Sequence, residues 1–75
     1  MPTLKRFARA AIRMYTGDHG EPHFHVEMPE DRCAVSIRTL KVLAGQVPQK
    51  VLREALAWAA THREFLLAKW RDLNR

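Results

Sequence analysis

His23-Phe24-His25-Val26-Glu27-Met28 is the most regular alternation in the chain, with Phe24, Val26 and Met28 on one side and His23, His25 and Glu27 on the other. A period of two marks a β-strand lying between an apolar core and a polar surface. The preceding Thr16-Gly17-Asp18-His19-Gly20-Glu21-Pro22 is dense in turn formers and reads as a loop. Before it, residues 10–15 alternate as a second strand, with Ile12 and Met14 facing one way and Arg13 and Tyr15 the other. After it, Pro29 to Arg32 reads as a tight turn. Residues 33–38 alternate again, with Cys33, Val35 and Ile37 opposite Ala34, Ser36 and Arg38. Thr3 to Phe7 is expected to add an edge strand, and Lys41 to Leu43 a short last one.

Beyond Gly45 the period changes. Leu52, Ala55, Leu56, Ala59, Leu66, Trp70 and Leu73 recur at spacings of three and four, the pattern of an amphipathic helix. Pro48 suits its first turn. Thr61-His62-Arg63-Glu64 matches a capping box, so the segment is read as one bent helix or as a pair broken at that point. The expectation is a single α+β domain over residues 1–75. An antiparallel sheet of three to four strands (residues about 3–43) precedes a helix or helix pair (about 48–73) that covers one sheet face. Leu52, Leu56, Leu66 and Trp70 are expected over Phe24, Val26, Met28, Val35, Ile37, Ile12 and Met14. The opposite face is expected to stay uncovered, carrying Arg13, Tyr15, His23, His25, Glu27, Ser36 and Arg38.

Size and composition narrow the function classes. A chain of 75 residues has little core, so self-association or a partner is a natural support. A single cysteine, Cys33, closes no internal disulfide and is expected in the core as a small apolar filler. Thirteen Lys and Arg against eight Asp and Glu give a formal charge of +5, which suits nucleic acid or an acidic protein. Neither an export signal nor a run of ~20 apolar residues is visible, so a cytoplasmic location is expected. No phosphate-binding glycine loop, Ser-His-Asp set, catalytic carboxylate pair or CxxC spacing occurs, which argues against the common nucleotide-binding and hydrolytic classes.

Three histidines, His19, His23 and His25, fall within seven residues. His23 and His25 are two apart on a strand and share a face. With His19 or Asp18 brought over from the loop, they have the donors a divalent metal takes, although a His-x-His pair needs a firmly placed third ligand. The same imidazoles are acid–base candidates. Arg13 and Arg38 are candidates for holding a phosphate, and Tyr15 for donating a hydrogen bond or stacking on a base. These parts suffice for metal-independent RNA cleavage, in which a base activates the 2′-hydroxyl. They suffice equally for binding alone, and the plainest reading is a solvated face of cross-strand ion pairs. Lys5, Arg6 and Arg9 form a second small basic patch. His62, four residues after Trp58, is expected to stack on it at the helix surface.

Asp18-His19-Gly20-Glu21-Pro22-His23-Phe24-His25-Val26 resembles the Asp-His-x-Pro-Pro-His-Phe-His motif of a small bacterial family, domain of unknown function 4160. Met1-Pro2-Thr3, Arg13-Met14-Tyr15 and Trp58-Ala59-Ala60-Thr61-His62-Arg63-Glu64 are similar to it too, so the resemblance covers essentially the whole chain. It implies the toxin of a type II toxin–antitoxin pair, because members are often encoded beside a second small domain. A cognate antitoxin is then the expected partner. The motif places Asp18, His19, Pro22, His23, Phe24 and His25 at signature positions. Glu21 stands where the family has its first proline, which implies a less rigid loop and a carboxylate beside the imidazoles. The leading expectation is thus a toxin acting on RNA. A non-catalytic interaction module and a His-rich metal-binding protein are the alternatives.

Overall fold

The computed structural model describes residues 3–17 and 19–74. Five strands, β1 (Thr3–Arg6), β2 (Ala11–Arg13), β3 (His23–Glu27), β4 (Arg32–Ser36) and β5 (Val42–Gln46), precede two helices, α1 (Gln49–Ala60) and α2 (Arg63–Leu73). The fold is α+β as expected, with five strands rather than three to four. The strands lie in chain order, each antiparallel to its neighbours. Successive strands are therefore joined as hairpins, by short turns except for the longer β2–β3 loop over residues 14–22. β3 is the middle strand.

The extra strand is β5, which runs on past Leu43 to Gln46. All five of its residues are exposed, so no apolar alternation announces it. Gly45, at φ 74, fits against the strand beside it: a Cβ there would lie 2.4 Å from the Arg32 carbonyl oxygen. The register between β4 and β5 also shifts between Ala34 and Val35, as at a β-bulge.

The pleat divides the sheet as the sequence predicts. Ile12, Met14, Phe24, Val26, Val35 and Ile37 are wholly buried, and Cys33 lies in the same cluster at 2 % exposure. Burial pushes the Cys33 thiol pKa up, which keeps it a protonated filler. From the helices, Val51, Ala55, Ala59 and Leu66 complete this core. Leu52, Leu56 and Trp70, expected as the main cover, pack only part-buried at its margin. The buried stripe of α1 runs Val51, Ala55 and Ala59, one residue over from the expected Leu52 and Leu56.

The helical segment breaks at Thr61–His62, where the sequence allowed it. The capping box does not form. His62 occupies the cap position of α2 without a side-chain cap bond. Instead Thr61 Oγ1 donates to the Trp58 carbonyl at 3.0 Å, and His62 Nδ1 meets the same oxygen at 2.8 Å. Both side chains finish the end of α1, where carbonyls lack helical partners. The His62 ring stacks on Trp58 with centroids 4.2 Å apart, as expected.

Two substitutions test this architecture. Phe24→Ala removes a fully buried ring from the middle strand and should cost about 3–5 kcal/mol, a large share of the stability of so small a domain. Gly45→Ala forces a side chain into a positive-φ site against backbone and should cost about 1–3 kcal/mol. Urea unfolding is expected to show both midpoints lowered with the slope unchanged. A Gly45→Ala midpoint equal to wild type would contradict the close approach of β4 and β5.

Candidate functional site

Hydrogen-bonded registry sets the polar face. Thr3 pairs with Arg13, Arg13 with His25, His25 with Ala34 and Ala34 with Ala44, so one row of side chains crosses all five strands. A second row runs Ala11, Glu27, Arg32, Gln46, and a third begins with His23 and Ser36. Directly opposite residues in such rows lie close enough to touch.

Rings and charges link these rows. The Tyr15 and His25 rings meet edge-on at 4.9 Å, His25 and His23 at 5.1 Å, and His23 and Trp70 of α2 at 4.9 Å. At the other end of this chain of rings, the Tyr15 hydroxyl donates to Glu27 Oε2, and Arg13 Nη1 lies 3.6 Å from Glu27 Oε1. The Tyr15 pKa is raised. The hydrogen bond to Glu27 contributes most, followed by burial and by the charge of that carboxylate, while Arg13 opposes them. Tyr15 is therefore a neutral donor at neutral pH. The Arg13 Nε–H is buried and meets no acceptor among the described residues.

His23 does not face water as expected. It is 9 % exposed, held between His25 and Trp70. Its Nδ1 lies 2.9 Å from the Glu21 carbonyl oxygen. That oxygen only accepts, so Nδ1 carries a proton and donates it there. His25 is half-buried and is the more accessible of the pair.

Ser36 is also enclosed rather than open, at 0 % exposure. Its hydroxyl donates to Glu21 Oε2 at 2.6 Å and accepts the backbone N–H groups of Arg38 and Thr39, each at 3.2 Å. Glu21 thus ties the β2–β3 loop to the turn after β4. Arg38 follows the last residue of β4 by two positions. It stands exposed in that turn, beyond the end of β4, and lines none of the hollows beside the histidines.

Three hollows open on the polar face. One of about 390 Å³ lies at the β1–β2 end, with Arg6, Arg9, Arg13 and Glu27 in its wall. A second, of about 400 Å³, is bounded by Tyr15, His25, Arg32, Ala34 and Ala44. The third, of about 330 Å³, places His19 beside His23, Glu21 and Leu43. Of the residues singled out by sequence, Arg13, Tyr15, His19, His23 and His25 are thus brought to one face, and Asp18 lies outside the described residues. Among the described residues, no three His, Cys, Asp or Glu side chains converge as metal ligands would. No helix of the described residues is long and apolar enough to cross a membrane.

Alternation puts Ala34 on this side of β4, but Arg32, Ala44 and Trp70 are parts of the face that sequence reading misses. Arg32 was placed in the turn, although starting β4 one residue earlier sets it opposite Glu27. Trp70 carried a core-like spacing, and nothing local marked its contact with a histidine 47 positions away.

No curated protein and no solved structure matches the chain. The family model described as Domain of unknown function (DUF4160) matches residues 10–71, from the start of β2 into the last turns of α2. That span holds both histidines of β3, Tyr15, Arg13, Arg32 and Trp70. The chain belongs to this family.

Proposed function

We propose that this protein is the toxin of a type II toxin–antitoxin pair, a cytoplasmic protein that cleaves single-stranded RNA on the polar sheet face and is neutralised by a cognate antitoxin. The observation that carries the RNA reading is the row in which Arg13 and His25 stand side by side, with Tyr15 against the imidazole. Arginine holds phosphate through several donors, and a half-buried imidazole beside it is placed to move a proton. The family resemblance supplies the toxin role, and the net charge of +5 supports a polyanionic substrate.

In this reading His25 takes the proton of a ribose 2′-hydroxyl. The freed oxygen closes on the adjacent phosphorus, giving a 2′,3′-cyclic phosphate. The 5′-oxygen leaves as a hydroxyl with a proton from solvent. Arg13 holds the phosphate, and Tyr15 donates towards the charge that develops there. His23, fixed by Glu21 and Trp70, positions His25.

A second reading, a non-catalytic interaction module, is favoured by β5. Its edge carries no charged residue, and Val42 and Leu43 are 40 % and 46 % exposed. Apolar edge strands of this kind pair readily with another chain.

Induced expression separates the two. Wild type is expected to arrest growth, relieved by co-expressing the small protein encoded beside it, and to cleave single-stranded RNA in vitro. His25→Ala should lose cleavage by about 100-fold or more while keeping the wild-type melting temperature. Retention of arrest and of partner binding by His25→Ala, with no cleavage by wild type, would end the enzymatic reading in favour of the interaction module.

A further inference from the structure

The row that contains Arg13 and His25 does not stop at the histidine. It continues through Ala34 and Ala44, the smallest side chains available short of glycine, on the two strands beyond. Ala44 is exposed, and Ala34 is half-buried. With nothing tall standing on those two positions, the face drops into the hollow of about 400 Å³. Its walls are unlike its floor. Tyr15 and His25 stand on one side as rings, Arg32 supplies a guanidinium, and the floor is methyl groups and backbone.

That combination suits a flat, aromatic, partly polar guest. Ligand pockets fall at about 300–1,000 Å³, so the hollow lies at the small end of the range, and its apolar floor offers little to a phosphate. The Arg6–Arg9–Arg13 hollow at the opposite end of the sheet has the reverse character, with three guanidinium groups. The two ends of the row are therefore chemically distinct, and the imidazole of His25 stands between them. Arg13 and Ala44 are three strand spacings apart, about 14 Å.

We infer that the hollow over Ala34 and Ala44 is a nucleobase subsite, which receives one unstacked base of a single strand while Arg13 and its neighbours hold the backbone. This rests on the RNA reading above and adds the direction in which the strand lies, backbone towards β1 and base towards β5. The ribose then falls over His25, where its 2′-hydroxyl meets the imidazole. A base engaged in a duplex cannot enter, because its faces are stacked and its edge is paired. The substrate class is consequently unpaired RNA. Tyr15, His25 and Arg32, which line the hollow, are side chain types on which any base can pack.

The test uses the full chain with two fluorescein-labelled probes of equal length, an oligouridine and the matching abasic strand, both with 2′-fluoro in place of the 2′-hydroxyl so that neither can be cleaved, read by fluorescence anisotropy. Wild type is expected to bind the oligouridine about tenfold more tightly, the value of one stacked base. Ala44→Leu fills the hollow from an exposed edge position and should bring the oligouridine down to the abasic affinity. Ala34→Leu fills it from the neighbouring strand and should act alike, with circular dichroism confirming that each variant is folded. Arg13→Gln should weaken both probes by the same factor. Equal binding of the two probes by wild type, or an oligouridine preference that survives in folded Ala44→Leu and Ala34→Leu, overturns the base subsite and leaves the RNA reading standing. Failure of wild type to bind either probe overturns both.

Discussion

The pleat of β3 is the constraint from which the rest of the molecule follows. Phe24 and Val26 are buried without residual exposure, so the strand cannot slip by one residue without driving His23, His25 and Glu27 into the core. Because β3 is hydrogen-bonded on both sides, that choice spreads to its neighbours. It fixes Arg13 opposite His25 on one side and Ala34 opposite His25 on the other. The polar row is therefore a consequence of how the core is registered.

The break between the helices lets two short elements do different work. α1 lays Val51, Ala55 and Ala59 on the apolar side of the sheet at helical spacing. After the turn at Thr61–His62, α2 buries Leu66 in the same core and, four residues on, sets Trp70 against His23. Asn74 beyond it accepts the Gly17 N–H through Oδ1 at 3.0 Å. α2 thus closes one end of the polar face and anchors the β2–β3 loop. From the other side Glu21 binds Ser36 by its carboxylate and His23 by its carbonyl. The β2–β3 loop is held by these side-chain contacts.

What was readable in the sequence, and what was not, divides by the range of the interaction. The alternation in β3 and β4, the change of period after Gly45, the burial of Cys33 and the Trp58–His62 stack all arise from residues within one element or one turn. Each is found where the pattern put it. β5 was underestimated because a strand exposed on both faces has no apolar period, and Gly45 lowers its propensity further. The burial of His23 and Ser36 depends on Trp70 and Glu21, partners brought together only by the closed fold. Alternation told which face those side chains share. It could not tell what would come to lie over them.

The Glu27 carboxylate organises the charge around Arg13 and Tyr15. As a part-exposed ion pair its attraction for Arg13 adds little stability, so its importance is in orientation. It draws one end of the guanidinium inward at 3.6 Å, leaving the Nε–H without an acceptor among the described residues, and it holds the Tyr15 proton in place. The raised Tyr15 pKa follows from that hold. The neutral phenol is stabilised in the fold up to pH values above its ordinary titration, and the stabilisation disappears as pH rises through the raised value. Near neutrality, then, Tyr15 stays a donor and His23 has its Nδ1 proton committed to the Glu21 carbonyl. His25 is the imidazole of the row that is both half-open to solvent and flanked by a guanidinium. On the RNA reading, proton transfer falls to that ring because it stands beside Arg13 at the open part of the row.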